Sequence, residues 1–128
     1  MKTACALAAL ASLAVLTGCS GFDRLEFTFE SAPPDNATVS YADIRIHSGI
    51  AVGVVARPME GSDEMDSDTL VQLESKDPAI LGVNPAVRED PDDPPKFVLF
   101  GASAGSTTVV VRIDGETRAE IPANVDAQ

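Results

Sequence analysis

Two cysteines, one histidine and a surplus of carboxylates are the groups in this 128-residue chain whose types could do chemistry. Cys19 follows Leu16-Thr17-Gly18. Its thiol is a nucleophile able to take a diacylglycerol, and the small residues before it let a peptidase approach the backbone. Glu60, Asp63, Glu64, Asp66 and Asp68 gather five carboxylates in one short stretch, and Glu89, Asp90, Asp92 and Asp93 form a second group. Calcium takes six to eight oxygen ligands, often from carboxylates on loops. That makes Asp63, Glu64, Asp66 and Asp68 candidate ligands. The spacing does not fit an EF-hand, because no glycine follows the aspartates where that loop needs one, and the expected role of both stretches is a solvated loop. His47 is expected on an outward face beside Arg45, as a surface residue. A triad would need a positioned base and its orienting carboxylate, and nothing around His47 marks either. No His-Glu-x-x-His run, phosphate loop or Cys-His metal spacing occurs, and no Gly-x-Ser-x-Gly nucleophile elbow is expected. The expectation is no enzyme, with no cofactor beyond a covalent lipid.

The elements around Cys19 give its thiol a context. Met1-Lys2-Thr3 carries one positive charge, and Ala4 to Leu16 is an almost wholly apolar run of 13 residues. A charged start followed by an apolar stretch of this length is a secretory signal. A membrane-spanning helix needs about 20 apolar residues, so the run is an export signal and not an anchor. Leu16-Thr17-Gly18-Cys19 at its end resembles a lipobox, the motif read by bacterial lipoprotein-processing enzymes. That resemblance implies cleavage between Gly18 and Cys19 and a lipid on Cys19. Cys5 would leave with the leader, so no disulfide is open to the mature chain. Ser20, where some sorted lipoproteins carry Asp, favours the outer membrane in a two-membrane bacterium.

Without residues 1–18 the chain has 110 residues, a single-domain length. The formal net charge of −11 becomes about −12 when Lys2 leaves, which repels nucleic acid and anionic headgroups. The expected organisation is a signal helix over 1–18, a lipidated tether over 19–24 and one folded domain over 25–128.

The domain is expected to be all-β. Leu25, Phe27 and Phe29 alternate with polar residues, the period of a half-buried strand. The run Ser31-Ala32-Pro33-Pro34-Asp35-Asn36 stops it. Ile44 and Ile46 alternate with Arg45 and His47 in the next strand. Residues 51–57 carry Val52, Val54 and Ala56 inward, and Gly53 there marks a bulge or a close approach of another backbone. Residues 58–67 read as an acidic turn. Strands follow over 69–75, 80–83, 96–100 and 107–113, with 88–95 a loop. Asp114-Gly115 is a hairpin signal, and the last strand, 116–125, turns Ala119, Ile121, Ala123 and Val125 inward. No segment keeps a helical period. Seven or eight short antiparallel strands spaced by turns spell a β-sandwich. The row from Thr107 to Ile113 is the most β-prone and would aggregate at an edge, so it is expected inside a sheet.

Two segments carry a family resemblance. Leu73-Glu74-Ser75-Lys76-Asp77-Pro78-Ala79-Ile80-Leu81-Gly82-Val83 is similar to the strand, Ser-x-Asp-Pro, strand segment of the bacterial immunoglobulin-like (Big-type) domains. Phe97 to Val111, with Gly101-Ala102-Ser103-Ala104-Gly105 inside it, resembles their later Gly, Ala-Gly, Thr, strand segment. The chain departs from that family in having Gln72 and aliphatics in place of an aromatic before the turn, and in a longer insertion from Pro85 to Pro95. The resemblance implies an immunoglobulin-like sandwich with a structural or adhesive role. Two functions follow from a lipid anchor on such a domain. One is an accessory module binding an envelope protein, on the periplasmic side. The other is a surface-exposed adhesive module recognising a glycan or protein. The short tether, the absence of repeats and the absence of tryptophan favour the first.

Overall fold

The computed structural model describes residues 21–31 and 35–128. Among them the chain is all strand: β1 (Arg24–Phe29), β2 (Ala37–Val39), β3 (Ile44–His47), β4 (Ala51–Glu60), β5 (Asp63–Glu64), β6 (Val71–Ser75), β7 (Leu81–Pro85), β8 (Lys96–Gly101), β9 (Gly105–Ile113) and β10 (Glu116–Asp126). They form two sheets. One has the order β1-β4-β8-β7, with β5 paired to the end of β4, and the other the order β2-β3-β10-β9-β6.

The alternation of the sequence decides which face of each sheet is covered. Leu25, Val54, Ala56, Phe97, Leu99 and Leu81 line one inner face, and Ile44, Ile46, Val109, Val111, Ile121, Ala123 and Val125 line the other. Each fully buried aliphatic side chain stabilises the fold by roughly 1.5–3 kcal/mol. Because this period is two, a one-residue slip in any register would turn those residues to water. No buried side-chain nitrogen or oxygen among the described residues lacks a hydrogen-bond partner.

Several expectations are met at the level of the register. β9 is flanked by β10 and β6, so the most β-prone row lies inside a sheet. Asp114 (φ 51°) and Gly115 (φ 86°) turn β9 into β10. The tight turn is secured across the sheet, where Asp114 Oδ1 accepts the Leu70 N–H at 2.9 Å.

Other expectations are corrected. Among the described residues the strands number ten and not seven or eight, because β2 and β5 span only three and two residues, too few to show an alternation. The sandwich is not wholly antiparallel: β3 runs parallel to β10, with Ile44 beside Ala123 and Ile46 beside Val125. Alternation reports the face of a strand and not its direction. β4 continues through Pro58 to Glu60, where a turn was expected. Proline is tolerated there because the backbone of Pro58 points away from β1, its carbonyl accepting the Met65 N–H. Gly53 makes no bulge, since its register with Val98 is regular. It is instead overlain by the Glu30 carboxylate, a side chain and not a backbone. The bulge of this fold lies in β10, between Thr117 and Ala119.

The register also orients the molecule. β1 and β10 both run from one end of the sandwich to the other. Gly21 therefore lies at the end that carries the 61–70, 86–95 and 114–115 loops, and Gln128 lies at the opposite end beside Gly49.

Candidate functional site

Leu16, Thr17, Gly18 and Cys19, the residues with the clearest chemistry, lie outside the described residues, as does the expected signal helix. What the structure does show is how the chain just after them is held. Gly21 has φ 85° and sits against Glu60, whose carboxylate would be 2.6 Å from a Cβ at that position. The Asp23 N–H donates to the Met59 carbonyl at 2.8 Å, and the Arg24 guanidinium donates to the Gly61 carbonyl at 2.9 Å. Phe22 packs edge-on to Tyr41, with ring centres 6.2 Å apart, and Arg118 lies 5.7 Å from the Phe22 ring centre. Arg118 is the extra residue of the β10 bulge, so the bulge aims this cation at the ring. Burial raises the Tyr41 pKa above its ordinary value, partly offset by the Arg118 charge. The folded body thus reaches back past residue 24 and grips the chain at Phe22. No periodicity marks that grip; the signal was the aromatic pair Phe22 and Tyr41, 19 residues apart.

The acidic stretches do not converge into a cation site. Asp63 and Glu64 form β5, and Glu64 is 3.6 Å from the Arg57 guanidinium. Asp66 and Asp68 lie on the following turn, where the Asp66 carbonyl accepts the Thr69 N–H. In the second stretch Asp90 Oδ1 accepts the Asp92 N–H at 2.9 Å, and Arg88 donates to the Asp93 carbonyl at 2.7 Å. The two stretches meet in a hydrogen bond from Ser67 Oγ to Asp92 Oδ1, at 3.4 Å. Among the described residues no three His, Cys, Asp or Glu side chains are grouped to hold a metal ion.

His47 ends β3 on the outer face with Arg45, as expected, and is half-buried. Arg45 bridges both oxygens of Asp126 at 2.9 and 3.0 Å, and Asp126 is the β10 residue paired with His47. Contrary to expectation, the Gly-x-Ser-x-Gly spacing of a nucleophile elbow is present, in Gly101-Ala102-Ser103-Ala104-Gly105. That motif requires a strand-to-helix turn that exposes the serine. Here the segment joins β8 to β9, strand to strand, and Ser103 Oγ donates to the Ala79 carbonyl at 2.7 Å.

That contact also unites two segments far apart in the sequence, 73–83 and 97–111. The first contains the β6–β7 turn, where Ser75 Oγ accepts the Asp77 N–H and Asp77 Oδ1 accepts the Ala79 N–H. The second contains the β8–β9 crossing, which docks on it through Ser103 and through Gly105, where a Cβ would stand 2.9 Å from Ile80 Cδ1. A cleft of about 200 Å³ opens at the end nearest Gly21, between Leu70, Ala86, Arg88, Pro95, Lys96 and Phe97. A smaller one of about 90 Å³ lies between Asn36, Thr38, Arg45 and His47.

No family model matches the chain, and no curated protein matches it. Among solved structures it is similar to the crystal structure of the S-layer protein SbsC domains 4 and 5, at 17% identity and a TM-score of 0.44. The match covers 80% of this chain and 54% of that one, so the chain spans about half the length of that structure. The fold stands on the strand register itself: an all-β body of two sheets, with no described helix long and apolar enough to cross a membrane.

Proposed function

We propose that the chain is the precursor of a bacterial lipoprotein whose immunoglobulin-like sandwich is a non-catalytic accessory module, held at the cell envelope and binding another envelope protein. The observation that carries this reading is the sequence Leu16-Thr17-Gly18-Cys19 closing the apolar run from Ala4. The body supports it. Phe22, three residues after Cys19, is already packed on Tyr41, so a lipid on Cys19 would hold this end of the sandwich within about 11 Å of its anchor. Two or three acyl chains suffice to retain a soluble domain at a membrane. The non-catalytic reading is supported by Ser103, whose hydroxyl is held on the Ala79 carbonyl, and by Asp126, the β10 residue paired with His47, whose carboxylate is held by Arg45.

Ser20 directs the proposal to the outer membrane where two membranes exist, and the short tether directs it to the periplasmic face. Protease digestion of intact and lysed cells tests the placement. Protection in intact cells with cleavage after lysis is expected. Loss of the domain from intact cells would replace the accessory reading with the adhesive one.

A further inference from the structure

We propose that β1 is an interaction edge whose partner is β1 of a second copy of this chain, the two strands pairing antiparallel to join their sheets. The inference is independent of whether Cys19 carries lipid. β1 is the end strand of its sheet, and no described strand lies along its outer side. The Glu30 N–H donates to the Gly53 carbonyl at 3.0 Å. With the β1–β4 register, this points the backbone groups of the even-numbered residues at β4. The N–H and C=O groups of Leu25, Phe27 and Phe29 therefore face outward. A row of such groups is a template for another strand.

The other strands with a free edge are poorer templates, β5 being only two residues long. β2 has three residues. β7 carries Pro85, which cannot donate. β6 packs beside β7 of the other sheet and would set Glu74 against Gln72 if paired with itself, with no charge match. β1 has six residues, no proline, and in Phe27 and Phe29 two aromatic side chains that its own sandwich only half-buries.

The sequence of β1 is complementary to itself. Centring an antiparallel pair on Phe27 sets Leu25 opposite Phe29 of the partner, and each of the three facing pairs exchanges both main-chain hydrogen bonds. On the outer face the same register sets Glu26 opposite Thr28 and Arg24 opposite Glu30, an ion pair repeated at both ends by the two-fold axis. On the inner face Phe27 meets Phe27 and Leu25 meets Phe29. Arg24 and Glu30 already hold Glu26 and Lys96 within their own chain, which keeps both in position on that face. The two chains leave Gly21 in opposite directions, so two anchored copies lie with their strands along the membrane.

Cysteine cross-linking of the full chain tests the edge. In this register Glu26 and the partner's Thr28 form a non-hydrogen-bonded pair, the closer kind. The variant Glu26→Cys/Thr28→Cys is expected to give a disulfide-linked dimer on mild oxidation. The parent chain, with Cys5 and Cys19, sets the background, and Gln72→Cys/Glu74→Cys on β6 is the matched edge control. Adding Arg24→Glu should cut the dimer yield roughly tenfold, and adding Glu30→Arg to that should restore it. Cross-linking at 26/28 no greater than at 72/74 would overturn the proposal. So would a yield indifferent to Arg24→Glu, or one that Glu30→Arg fails to restore while the thermal melting of the variants matches the parent.

Discussion

The backbone of Gly101 passes so close to His47 that a Cβ on residue 101 would stand 2.5 Å from the His47 carbonyl oxygen. This approach ties the end of β8 in one sheet to the end of β3 in the other. Two hydrogen bonds complete the corner: the Gly49 N–H donates to the Gly101 carbonyl at 2.7 Å, and the Gly101 N–H to the Ile50 carbonyl at 2.9 Å. The sheets are thus joined by backbone as well as by core packing.

Gly101→Ala is therefore expected to destabilise the domain by about 1–3 kcal/mol, the usual cost of forcing extra volume into a packed site. Equilibrium urea unfolding checks it. A stability equal to that of the parent would show that the corner relaxes freely.

The centre of the sandwich responds to the opposite change. Leu99 and Ile121 are fully buried, one from each sheet. Truncating either to alanine should cost roughly 2–5 kcal/mol by leaving a cavity. Val87, which is almost fully exposed, should tolerate alanine within about 0.5 kcal/mol. The contrast is read in the same unfolding experiment.

The turn from β9 to β10 depends on Asp114 in two ways, a left-handed backbone and the hydrogen bond to Leu70. Asp114→Ala removes the hydrogen bond and puts a residue less tolerant of that backbone in the turn, which should cost about 1–2 kcal/mol. Asp114→Asn keeps an oxygen at the same place and should fall well below that. Thermal melting of the two variants separates the contributions.

Tyr41 gives the tethered end a pH dependence. Burial raises its pKa in the folded state, so the unfolded chain loses the phenol proton first as pH rises. The stability this contributes is fully present below the ordinary tyrosine pKa of about 10 and is lost as pH climbs through the higher folded value. Tyr41→Phe should remove that part of the alkaline decline. Arg118→Ala should raise the Tyr41 pKa further, since the arginine charge opposes the effect of burial. Spectroscopic titration of the phenol, the single tyrosine of the chain, reads both.

The acidic loops yield the prediction for metal. With Glu64 held near Arg57 and Asp90 turned onto its own backbone, excess calcium and chelator should give the same melting temperature. A clear rise with calcium would contradict the assignment of these loops to solvent.

What was legible in the sequence was the face of each long strand. Ile44 and Ile46, Val109 and Val111, and Ile121 to Val125 announce their burial by alternation alone, and Asp114-Gly115 announces its hairpin. Direction was not legible, because Ile44 would alternate with Arg45 whichever way β3 ran beside β10. Nor were the short pairings. β2 and β5 are held by neighbours already in place, and two or three residues have no period of their own. Pro58 looked like an ending only because the side of β4 that it faces could not be known. At the candidate site, Cys19 and its flanking residues were readable as chemistry. The clasp of Phe22, Tyr41 and Arg118 was not, since it needs a bulge at residue 118, ahead of the alternation from Ala119 to Val125 by which β10 is read, and alternation does not report bulges outside its own run.

The central claim is that Cys19 carries lipid, and metabolic labelling of the expressed full chain with a palmitate analogue tests it most directly. The label is expected on the parent and on Cys5→Ser, and absent from Cys19→Ser, with the parent's mature N-terminus at Cys19. A Cys19→Ser chain that still takes the label, or a parent that takes none and is cleaved elsewhere, would contradict it.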